Sequence, residues 1–318
     1  MNLTPVSVLL PVKNGIQYWP NAEQTLLSYL RNKDEVVVVD DSSSDGSYEY
    51  ALGLSRRVMN IKVLRNPGTG LVSALNYGLK HCSNDWVARH DIDDSYSMNR
   101  LTEQVKAIQS GTILIFSDYD VKTPTGRPLG TIPSAVTPSA MKISLITSQR
   151  TAHPSALFYK EEVFKAGSYR QEDFPAEDLS LWLRMSRLGD IRSVPISLLG
   201  YRLSPGSVSA TRRSEMTKKT QHLHQEFALT RADIDSFLMD IEETFFQYDV
   251  TSLAQTRKLL AIHDVLSIQG GKGAFVRSLK LQFESFKLFT NPSTLSEIRR
   301  MLVERNARRV SRNQSAGE

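Results

Sequence analysis

The sequence predicts an α/β domain with a sheet of the nucleotide-binding type, covered by helices on both faces and followed by a helical C-terminal extension. Three observations support this prediction. Short, continuously apolar runs alternate with helical stretches through the first half of the chain. Such runs are typical of parallel strands that are buried on both sides. From about residue 205 the pattern becomes helical, with Phe and Leu at spacings of three and four residues.

Five apolar runs are predicted to form the strands. They are rich in Val, Ile and Leu and are bounded by turn-forming residues. The runs are "VSVLLPV" at 6–12, "DEVVVVDD" at 34–41, "IKVLRN" at 61–66, "DWVARHD" at 85–91 and "TILIFSDYDV" at 112–121. Apolar residues at helical spacing predict helices between the strands, at Leu26, Leu27 and Leu30 and again at Leu71, Ala74, Leu75 and Leu79.

The length of 318 residues suits one large domain with an appendage, which we place at 1–210 and 211–318. Cys82 is the only cysteine, so an intrachain disulfide is excluded and a reducing cytoplasm is expected. The N-terminal run reads as a strand and not as a signal peptide. No apolar run approaches the roughly 20 residues that span a bilayer. A soluble or peripheral membrane protein is therefore expected. If it binds a membrane, the expected location is the inner face of the plasma membrane.

The net charge of +5 is concentrated in the C-terminal part. After residue 264 the chain has ten Lys and Arg against four Asp and Glu, so the preceding body is close to neutral. A near-neutral body is not typical of a nucleic-acid-binding protein. Any argument about an acidic partner therefore applies to the C-terminal part alone.

Three carboxylates lie within four positions, at Asp91, Asp93 and Asp94. They follow the fourth predicted strand, and ligands bind at the carboxyl ends of strands in open α/β sheets. Like charges this close repel each other, and carboxylate oxygens suit Mg²⁺ or Mn²⁺. The cluster therefore predicts a site for a divalent cation and a diphosphate. The alternative is that Asp94 or Ser95 caps the helix predicted over "YSMNRLTEQVKAIQ", which explains one acid of the three.

A second acidic pair opens a predicted helix in "AEDLSLWLRM". Leu179, Trp182 and Leu183 are spaced for a buried face, which places Glu177 and Asp178 at the helix N-terminus. The helix dipole favours negative charge at that end, so a structural role there is as well supported by the residues alone as a catalytic one.

Five motifs occur in the order seen in family 2 glycosyltransferases. They are "VSVLLPVKN", "VVVVDDSSSDGS", "NPGTGLVSALNYGL", "WVARHDIDD" and "AEDLSLWLRMSRLG". From about residue 5 to 205 the chain resembles these inverting, nucleotide-sugar-dependent enzymes of GT-A fold. The segment "HPSALFYKEEVFKAGSYR" further resembles bacterial members that build capsule, exopolysaccharide or lipopolysaccharide.

The resemblance implies roles for particular residues on the donor side. Asp41 would accept a hydrogen bond from the uracil N3–H of a UDP-sugar, and Asp91 would face the ribose or a water of the metal. Arg202 would contact the diphosphate. The other residues implied at the nucleotide lie in the first two loops and are Pro11, Val12, Asn14, Asp40 and Ser43.

The resemblance also implies the metal site and the catalytic base. Asp93 would be the principal ligand of Mn²⁺ or Mg²⁺, with Asp91 and Asp94 as further ligands. Asp178 would be the general base, with Glu177 as its neighbour. Two positions depart from the family pattern. Ile92 replaces the usual small residue between the first two acids, and Lys13 replaces a Tyr or Phe that stacks in many members.

Other features have two open interpretations. His153 would reach the acceptor or metal, or would be a hydrogen-bonded core histidine. His222, His224 and His263 read as structural. Phe275, Leu279, Phe283 and Phe286 form an apolar stripe flanked by Arg277, Lys280 and Lys287, which fits an anionic membrane. A helix packed on the catalytic domain, or a homodimer contact, would explain the stripe equally well.

The expected function is transfer of a sugar from a nucleotide sugar to a hydroxyl of a glycan or lipid-linked acceptor. Two other functional classes fit the sequence less well. A nucleotidyltransferase would have a Gly-rich basic loop directly after the first strand, and "PVKNGIQYWP" lacks one. A non-catalytic sugar-nucleotide-binding module would not need acids along the sheet edge.

Overall fold

The computed structural model describes residues 4–135, 137–147 and 151–227, together with residues 233 and 236. The chain divides into two compact units. The first is Met1–Ser134 with Thr151–Thr220, and the second is Ala135–Arg150 with Gln221–Glu318. Both acidic clusters lie in the first unit.

In the described part of the first unit, nine strands form one mixed sheet. They are β1 (Val6–Val12), β2 (Glu35–Asp40), β3 (Ile61–Arg65), β4 (Trp86–Arg89), β5 (Ser95–Tyr96), β6 (Thr112–Lys122), β7 (Pro128–Ile132), β8 (Leu157–Tyr159) and β9 (Asp190–Arg202). Their spatial order is β3-β2-β1-β4-β8-β6-β9-β5, and β7 pairs with β6. All five predicted strands are therefore present.

The sheet is parallel in two blocks that are separated by an antiparallel strand. Strands β3, β2, β1 and β4 are parallel to one another, and β6 is parallel to β9. Strand β8 runs antiparallel to both β4 and β6. A parallel sheet was predicted, and β8 was not, because three residues are too few to give a periodic signal.

The helices described by the structure lie between these strands in the sequence, except for the last two, which follow β9. They are α1 (Trp19–Tyr29), α2 (Ser47–Arg57), α3 (Leu71–His81), α4 (Arg100–Lys106), α5 (Pro138–Thr147), α6 (Lys160–Lys165), α7 (Glu177–Met185), α8 (Val208–Thr211) and α9 (Arg213–Glu226). Among them, none is both long enough and apolar enough to cross a membrane. Helix α9 is the described beginning of the predicted C-terminal extension. The Phe and Lys stripe from Phe275 onward and His263 lie outside the described residues.

One predicted cap is wrong. Helix α4 begins at Arg100 with Asn99 as its N-cap residue. Ser95 belongs to β5, which pairs with β9, and Asp94 directly precedes that strand. Neither residue caps α4, so the capping explanation for Asp94 is excluded.

Both faces of the central strands are covered, which explains their continuous apolar sequences. Val8 and Leu10 of β1 belong to a buried cluster that includes Trp19 of α1. Leu9 points to the opposite face, where it approaches Gly78 of α3. Because alternate side chains of a strand point to opposite faces, such a strand consists mainly of apolar residues.

Gly78 sets the close approach of α3 to the sheet. A Cβ atom at residue 78 would lie 2.3 Å from Leu9 Cδ1 and 2.8 Å from Val39 Cγ2. We expect Gly78→Ala to lower the free energy of unfolding by about 1–3 kcal/mol, because overpacking a dense core forces side chains to shift. A Cβ atom at Gly53 of α2 would meet no neighbouring atom within 4 Å. Gly53→Ala is therefore the control, and should stabilise by up to about 1 kcal/mol in urea unfolding. Equal effects of the two changes would contradict this account of the packing.

Candidate active site

The structure brings the acids that follow β2 and β4 to one edge of the sheet. Asp40 ends β2 and Asp41 follows it, while Asp91, Asp93 and Asp94 follow β4. Strands β2 and β4 are both parallel neighbours of β1, so their carboxyl ends meet at the same edge. This is the edge at which the sequence analysis placed a ligand site.

The carboxylate of Asp41 is buried and surrounded by donors. Asn66 Nδ2 donates to Asp41 Oδ1 at 2.7 Å. The Gly70 N–H is shared between Oδ1 at 2.9 Å and Oδ2 at 3.1 Å. Lys13 Nζ pairs with Oδ2 at 3.1 Å. Asn66, Gly70 and Lys13 were not predicted as partners of Asp41, because they come from two other loops, those after β3 and after β1.

Hydrogen bonds from backbone N–H groups to side-chain oxygens connect the loops after β1 and β2. The Asn14 N–H donates to Ser43 Oγ at 3.0 Å, and the Ser44 N–H donates to Asn14 Oδ1 at 2.9 Å. The Ser43 N–H donates to Asp40 Oδ2 at 3.1 Å. Asn14 and Ser42 have φ values of 50° and 58°, in the left-handed region. Non-glycine residues in that region are uncommon and concentrate at functional sites.

Two predicted nucleotide-site residues are placed differently from expectation. Pro11 and Val12 were expected in the first loop, but they are the last two residues of β1 and are buried. Their side chains pack in the sheet. The Val12 carbonyl accepts the Asp41 N–H at 2.8 Å, so Val12 supports the position of Asp41 through its backbone.

Each acid of the Asp-x-Asp-Asp segment has its own partner. Asp91 Oδ1 pairs with Arg89 Nη2 at 2.6 Å. Asp93 Oδ2 accepts the Ser204 hydroxyl at 2.5 Å, and Asp94 Oδ1 accepts the Arg202 N–H at 2.8 Å. The Arg202 side chain also donates from Nε to the Asp93 carbonyl at 2.8 Å. Arg202 therefore lies directly beside the acids.

The electrostatics of this segment fit a hard cation. Burial, and then the charge of Asp91, raises the pKa of Asp93 above its usual range. Burial and the charges of Asp91 and Asp93 raise the pKa of Asp94 well above its usual range. Asp94 Oδ2 is buried without a hydrogen-bond partner among the described residues. Across that same part of the chain, no three His, Cys, Asp or Glu side chains already converge around one point. The donor chemistry thus fits Mg²⁺ or Mn²⁺, and the side chains would have to adjust to converge on it.

Arg89 is a buried residue of this site that was not predicted from the sequence. It lies in β4 with only 1% of its surface exposed, and its Nε has no partner within the described residues. Besides its pair with Asp91, its charge lowers the pKa of both Glu177 and Asp178. A single basic residue in the apolar run "DWVARHD" was the available signal. Its importance depends on acids that lie about 90 residues away in the chain, which a local pattern does not reveal.

The second acidic pair lies in the first turn of α7, as predicted. Ala176 occupies the N-cap position and makes no side-chain capping bond. The Leu179 N–H donates to Asp178 Oδ1 at 2.7 Å, so Asp178 does satisfy one free amide of the helix end. Asp178 is partly exposed, whereas Glu177 is buried with Oε2 lacking a partner among the described residues. Asp178 is thus the member of the pair that can reach a ligand.

The pKa values of both carboxyl groups are raised. Burial, and then the charge of Asp178, raises the pKa of Glu177 to about 8. Burial also raises the pKa of Asp178, while the Leu179 N–H lowers it. Glu177 therefore holds its proton at pH 7.

The raised pKa of Glu177 predicts a pH-dependent stability. The unfolded chain releases this proton near pH 4.3, whereas the folded protein holds it up to a pH of about 8. Because the folded state binds more protons in this window, stability is lost as pH rises from about 5 to 8. We expect Glu177→Gln to remove this loss, so that it is more stable than wild type at pH 8 by on the order of a few kcal/mol and similar to it at pH 5. Thermal unfolding in EDTA at both pH values measures the difference, and a constant difference would contradict the assignment.

His153 lies in an aromatic cluster beside α7. Its Nε2 is hydrogen-bonded to the Tyr169 hydroxyl at 2.8 Å, and its ring lies 5.8 Å from that of Trp182. Burial, and then the charge of Arg89, lowers the pKa of His153 well below its usual range. These contacts favour the interpretation of a hydrogen-bonded core histidine. Cys82 is buried, and burial raises its thiol pKa to about 12, so it is poorly suited to nucleophilic chemistry.

Comparison of the sequence with known families and proteins agrees with the resemblance. The sequence pattern of the family described as "Glycosyl transferase family 2" matches residues 7–166. An uncharacterized glycosyltransferase of Haemophilus influenzae is 30% identical, over 67% of this chain and 80% of its own length. The UDP-Gal:alpha-D-GlcNAc-diphosphoundecaprenol beta-1,3-galactosyltransferase of Escherichia coli is 28% identical, over 56% of this chain and 66% of its own length. An uncharacterized glycosyltransferase of Rickettsia bellii is longer, and the match covers 28% of it at 28% identity.

Solved structures share the fold. Staphylococcus aureus TarS in complex with UDP-GlcNAc superposes with a TM-score of 0.59 at 17% identity, over 82% of this chain and 80% of that one. The mannosyltransferase PcManGT from Pyrobaculum calidifontis, in complex with GDP-Man and Mn²⁺, gives a TM-score of 0.53 at 12% identity, over 96% of this chain and 86% of that one. At these identities the likeness bears on the fold alone, and it confirms the predicted GT-A fold of the first unit.

Proposed function

The chain belongs to glycosyl transferase family 2, and from this premise we propose that it is an inverting glycosyltransferase of cell-surface polysaccharide synthesis. It transfers a sugar from a nucleotide sugar, with a UDP-sugar as the expected donor. The acceptor is a hydroxyl group of a glycan or of a lipid-linked sugar.

One observation carries this proposal. The buried cation Arg89 interacts electrostatically with both Asp91 and Asp178. It pairs with Asp91 on the donor side at 2.6 Å, and it lowers the pKa of Asp178 on the α7 side. The charge of Asp91 in turn raises the pKa of Asp178. The acids expected at the donor and the acid expected at the acceptor are therefore neighbours in one site.

The proposed reaction uses Asp178 as the general base. Its ionised carboxylate takes the proton of the acceptor hydroxyl while the acceptor oxygen attacks the anomeric carbon. The bond from that carbon to the diphosphate oxygen breaks on the opposite face, and the electron pair leaves with the nucleoside diphosphate. The configuration at the anomeric carbon is inverted. A base works best when its pKa lies close to the working pH, and burial moves the pKa of Asp178 in that direction.

The leaving diphosphate is negatively charged, so nearby positive charge is needed to stabilise it. Asp91, Asp93 and Asp94 would hold a divalent cation, which supplies positive charge to the diphosphate when it is bound. Arg202 lies beside these acids through its contacts with Asp93 and Asp94. We assign Arg202 to the diphosphate as a second source of positive charge.

The identity of the acceptor is inferred from relatives. The Escherichia coli relative acts, by its name, on a sugar linked to diphosphoundecaprenol. A lipid-linked acceptor would require approach to a membrane. The basic C-terminal region, with its ten Lys and Arg after residue 264, is our candidate for that contact, and homodimer formation by the same region is the alternative.

A donor panel tests the proposed function. The full-length protein is incubated with Mn²⁺ and with UDP-, GDP- or dTDP-sugars, and nucleoside diphosphate release is followed with and without acceptor. We expect release from a UDP-sugar, and inversion of the anomeric configuration by NMR of the product. Formation of pyrophosphate from a nucleoside triphosphate and a sugar 1-phosphate would instead indicate a nucleotidyltransferase. Binding of the donor without turnover on any acceptor offered would favour a non-catalytic module.

A further inference from the structure

The backbone of Asp91 is held by a side chain at the point where the chain leaves the sheet. The N–H of His90 still donates to the Leu9 carbonyl of β1, at 3.0 Å. One residue further, the Asp91 N–H donates to the hydroxyl oxygen of Tyr96 at 2.9 Å. A side-chain hydroxyl therefore takes the place of a neighbouring strand at the start of residues 91–94, which we call the acidic segment.

The ring that carries this hydroxyl is fixed in the core. Tyr96 is buried, and its ring stacks on that of His90 with 4.2 Å between the ring centroids. The guanidinium carbon of Arg100, which is also buried, lies 4.3 Å from the Tyr96 ring centroid. A cation over an aromatic face is attractive, and more so when both groups are removed from water. The hydroxyl of Tyr96 therefore has a fixed position relative to the sheet.

Arg100 connects the same ring to the strand that leads into the acidic segment. Its Nη2 donates to the Arg89 carbonyl at 2.6 Å and to the Pro154 carbonyl at 2.8 Å. Arg89 in turn pairs with the Asp91 carboxylate at 2.6 Å. Residue 89 is thus held by Arg100 and residue 91 by Tyr96, and these two side chains pack on each other.

Tyr96 also holds the other end of the acidic segment. It belongs to β5, which pairs with β9 so that Ser95 lies opposite Gly200 and Tyr96 lies opposite Leu199. The backbone of Tyr96 therefore anchors the chain directly after the segment, while its side chain returns to the N–H of Asp91 at the start. One residue closes the segment into a loop whose two ends are held together.

We propose that Tyr96 is a positioning residue for the acidic segment: its hydroxyl fixes the backbone from which Asp91, Asp93 and Asp94 reach a divalent cation. This inference rests on the proposed function, in which those three acids hold the cation. Tyr96 acts through the Asp91 N–H and takes no part in the transfer itself. Fixing the backbone lowers the conformational entropy that is lost when the carboxylates converge, so the cation is bound more tightly.

The first experiment removes the hydroxyl by Tyr96→Phe, which keeps the ring against His90 and Arg100 and is therefore expected to fold. In the full-length protein, UDP binding is measured by calorimetry over a series of Mn²⁺ concentrations. We expect the apparent affinity for Mn²⁺ to fall by about 10- to 100-fold, the usual effect of losing a residue that orients a metal ligand. UDP affinity in EDTA should match that of wild type, and excess Mn²⁺ should restore UDP binding.

Tyr29→Phe is the matched control, because it removes a hydroxyl from the same aromatic cluster. The Tyr29 ring lies 5.9 Å from that of Tyr96, and its hydroxyl is hydrogen-bonded to His90 Nδ1 at 2.7 Å. Each variant loses one hydrogen bond of a buried tyrosine, so both should melt about 2–4 °C below wild type. Only Tyr96→Phe should weaken Mn²⁺ binding. An equal loss of Mn²⁺ affinity in the two variants would indicate a general effect of stability and would overturn the inference.

The second experiment tests the positioning without a cation. Hydrogen–deuterium exchange of peptides that cover residues 88–97 is followed in EDTA. It should be faster in Tyr96→Phe than in wild type or Tyr29→Phe, because the Asp91 N–H loses its acceptor. If Mn²⁺ promotes UDP binding to wild type, an unchanged Mn²⁺ affinity or an unchanged exchange rate in Tyr96→Phe overturns the inference. If UDP binding to wild type does not depend on Mn²⁺, the cation site of the proposed function is wrong, and faster exchange in Tyr96→Phe would still support the positioning of Asp91.

Discussion

Asp178→Asn is expected to lower the rate of sugar transfer by about 10²- to 10⁴-fold, the usual contribution of a general base. Donor affinity should change little, because the residues assigned to the nucleotide lie at or just after the ends of β1, β2, β4 and β9 and not in α7. Asparagine has the size of aspartate and can hydrogen-bond, but it cannot take a proton from the acceptor hydroxyl. Steady-state rates with saturating donor, together with the Kd for the nucleotide, measure the two quantities separately.

The same variant distinguishes a catalytic role from a structural one. Asp178 Oδ1 accepts the Leu179 N–H at 2.7 Å, and an asparagine carbonyl can accept it equally well. A purely structural Asp178 therefore predicts normal turnover and an unchanged melting temperature. Glu162→Gln is a suitable control, since Glu162 lies in the first turn of α6 and pairs with Lys165. Normal transfer by folded Asp178→Asn would make Glu177 the next candidate and our mechanism wrong.

Asp93→Ala is expected to abolish the dependence of nucleotide binding on a divalent cation. Loss of an outer partner of a metal ligand typically costs about 10- to 100-fold in affinity, so loss of a principal ligand should cost at least about 100-fold. The Asp93 carboxylate accepts a hydrogen bond from the Ser204 hydroxyl. The Asp91 carboxylate is instead paired with the buried Arg89. Titrations of UDP with Mn²⁺ and with EDTA measure the difference.

The control for Asp93→Ala is Asp190→Ala. Asp190 is a partly exposed acid at the first residue of β9, paired with Arg192 at 3.1 Å. Its removal should leave the effect of Mn²⁺ on UDP affinity unchanged. If wild type binds UDP with full affinity in EDTA, the assignment of these acids to a cation is wrong.

The central strands could be predicted from the sequence because their physical signal is local. Every residue of β1 is buried, so its apolar run marks the strand from Val6 to Val12 without reference to the rest of the fold. Strand β9 gives no such signal, because "DIRSVPISLLGYR" mixes charged, polar and apolar residues and contains Pro195. Its long pairing with β6 depends on tertiary structure that a single run does not encode.

The same distinction between local and tertiary signals applies to the candidate site. Acids at the ends of strands could be found from the sequence, since strand ends and carboxylates are both visible there. Their partners could not. Arg89 is read as part of a buried strand, and Ser204 and Lys13 as loop residues, until the fold places them against Asp91, Asp93 and Asp41. The fold, and not the spacing in the sequence, determines which donor or cation lies next to each acid.

The position of β9 also has a consequence for how the chain acquires its structure during synthesis. Arg202 and Ser204 contact Asp94 and Asp93 across 108 and 111 residues of sequence. A nascent chain that has released β1 to β4 therefore exposes an acidic loop whose closing contacts have not yet been translated. Pairings this distant form slowly, and the chain stays open to misassembly until they do. We therefore expect that exchanging the segment from β1 to β4 between family members as an N-terminal cassette would require the matching β9 to be carried with it.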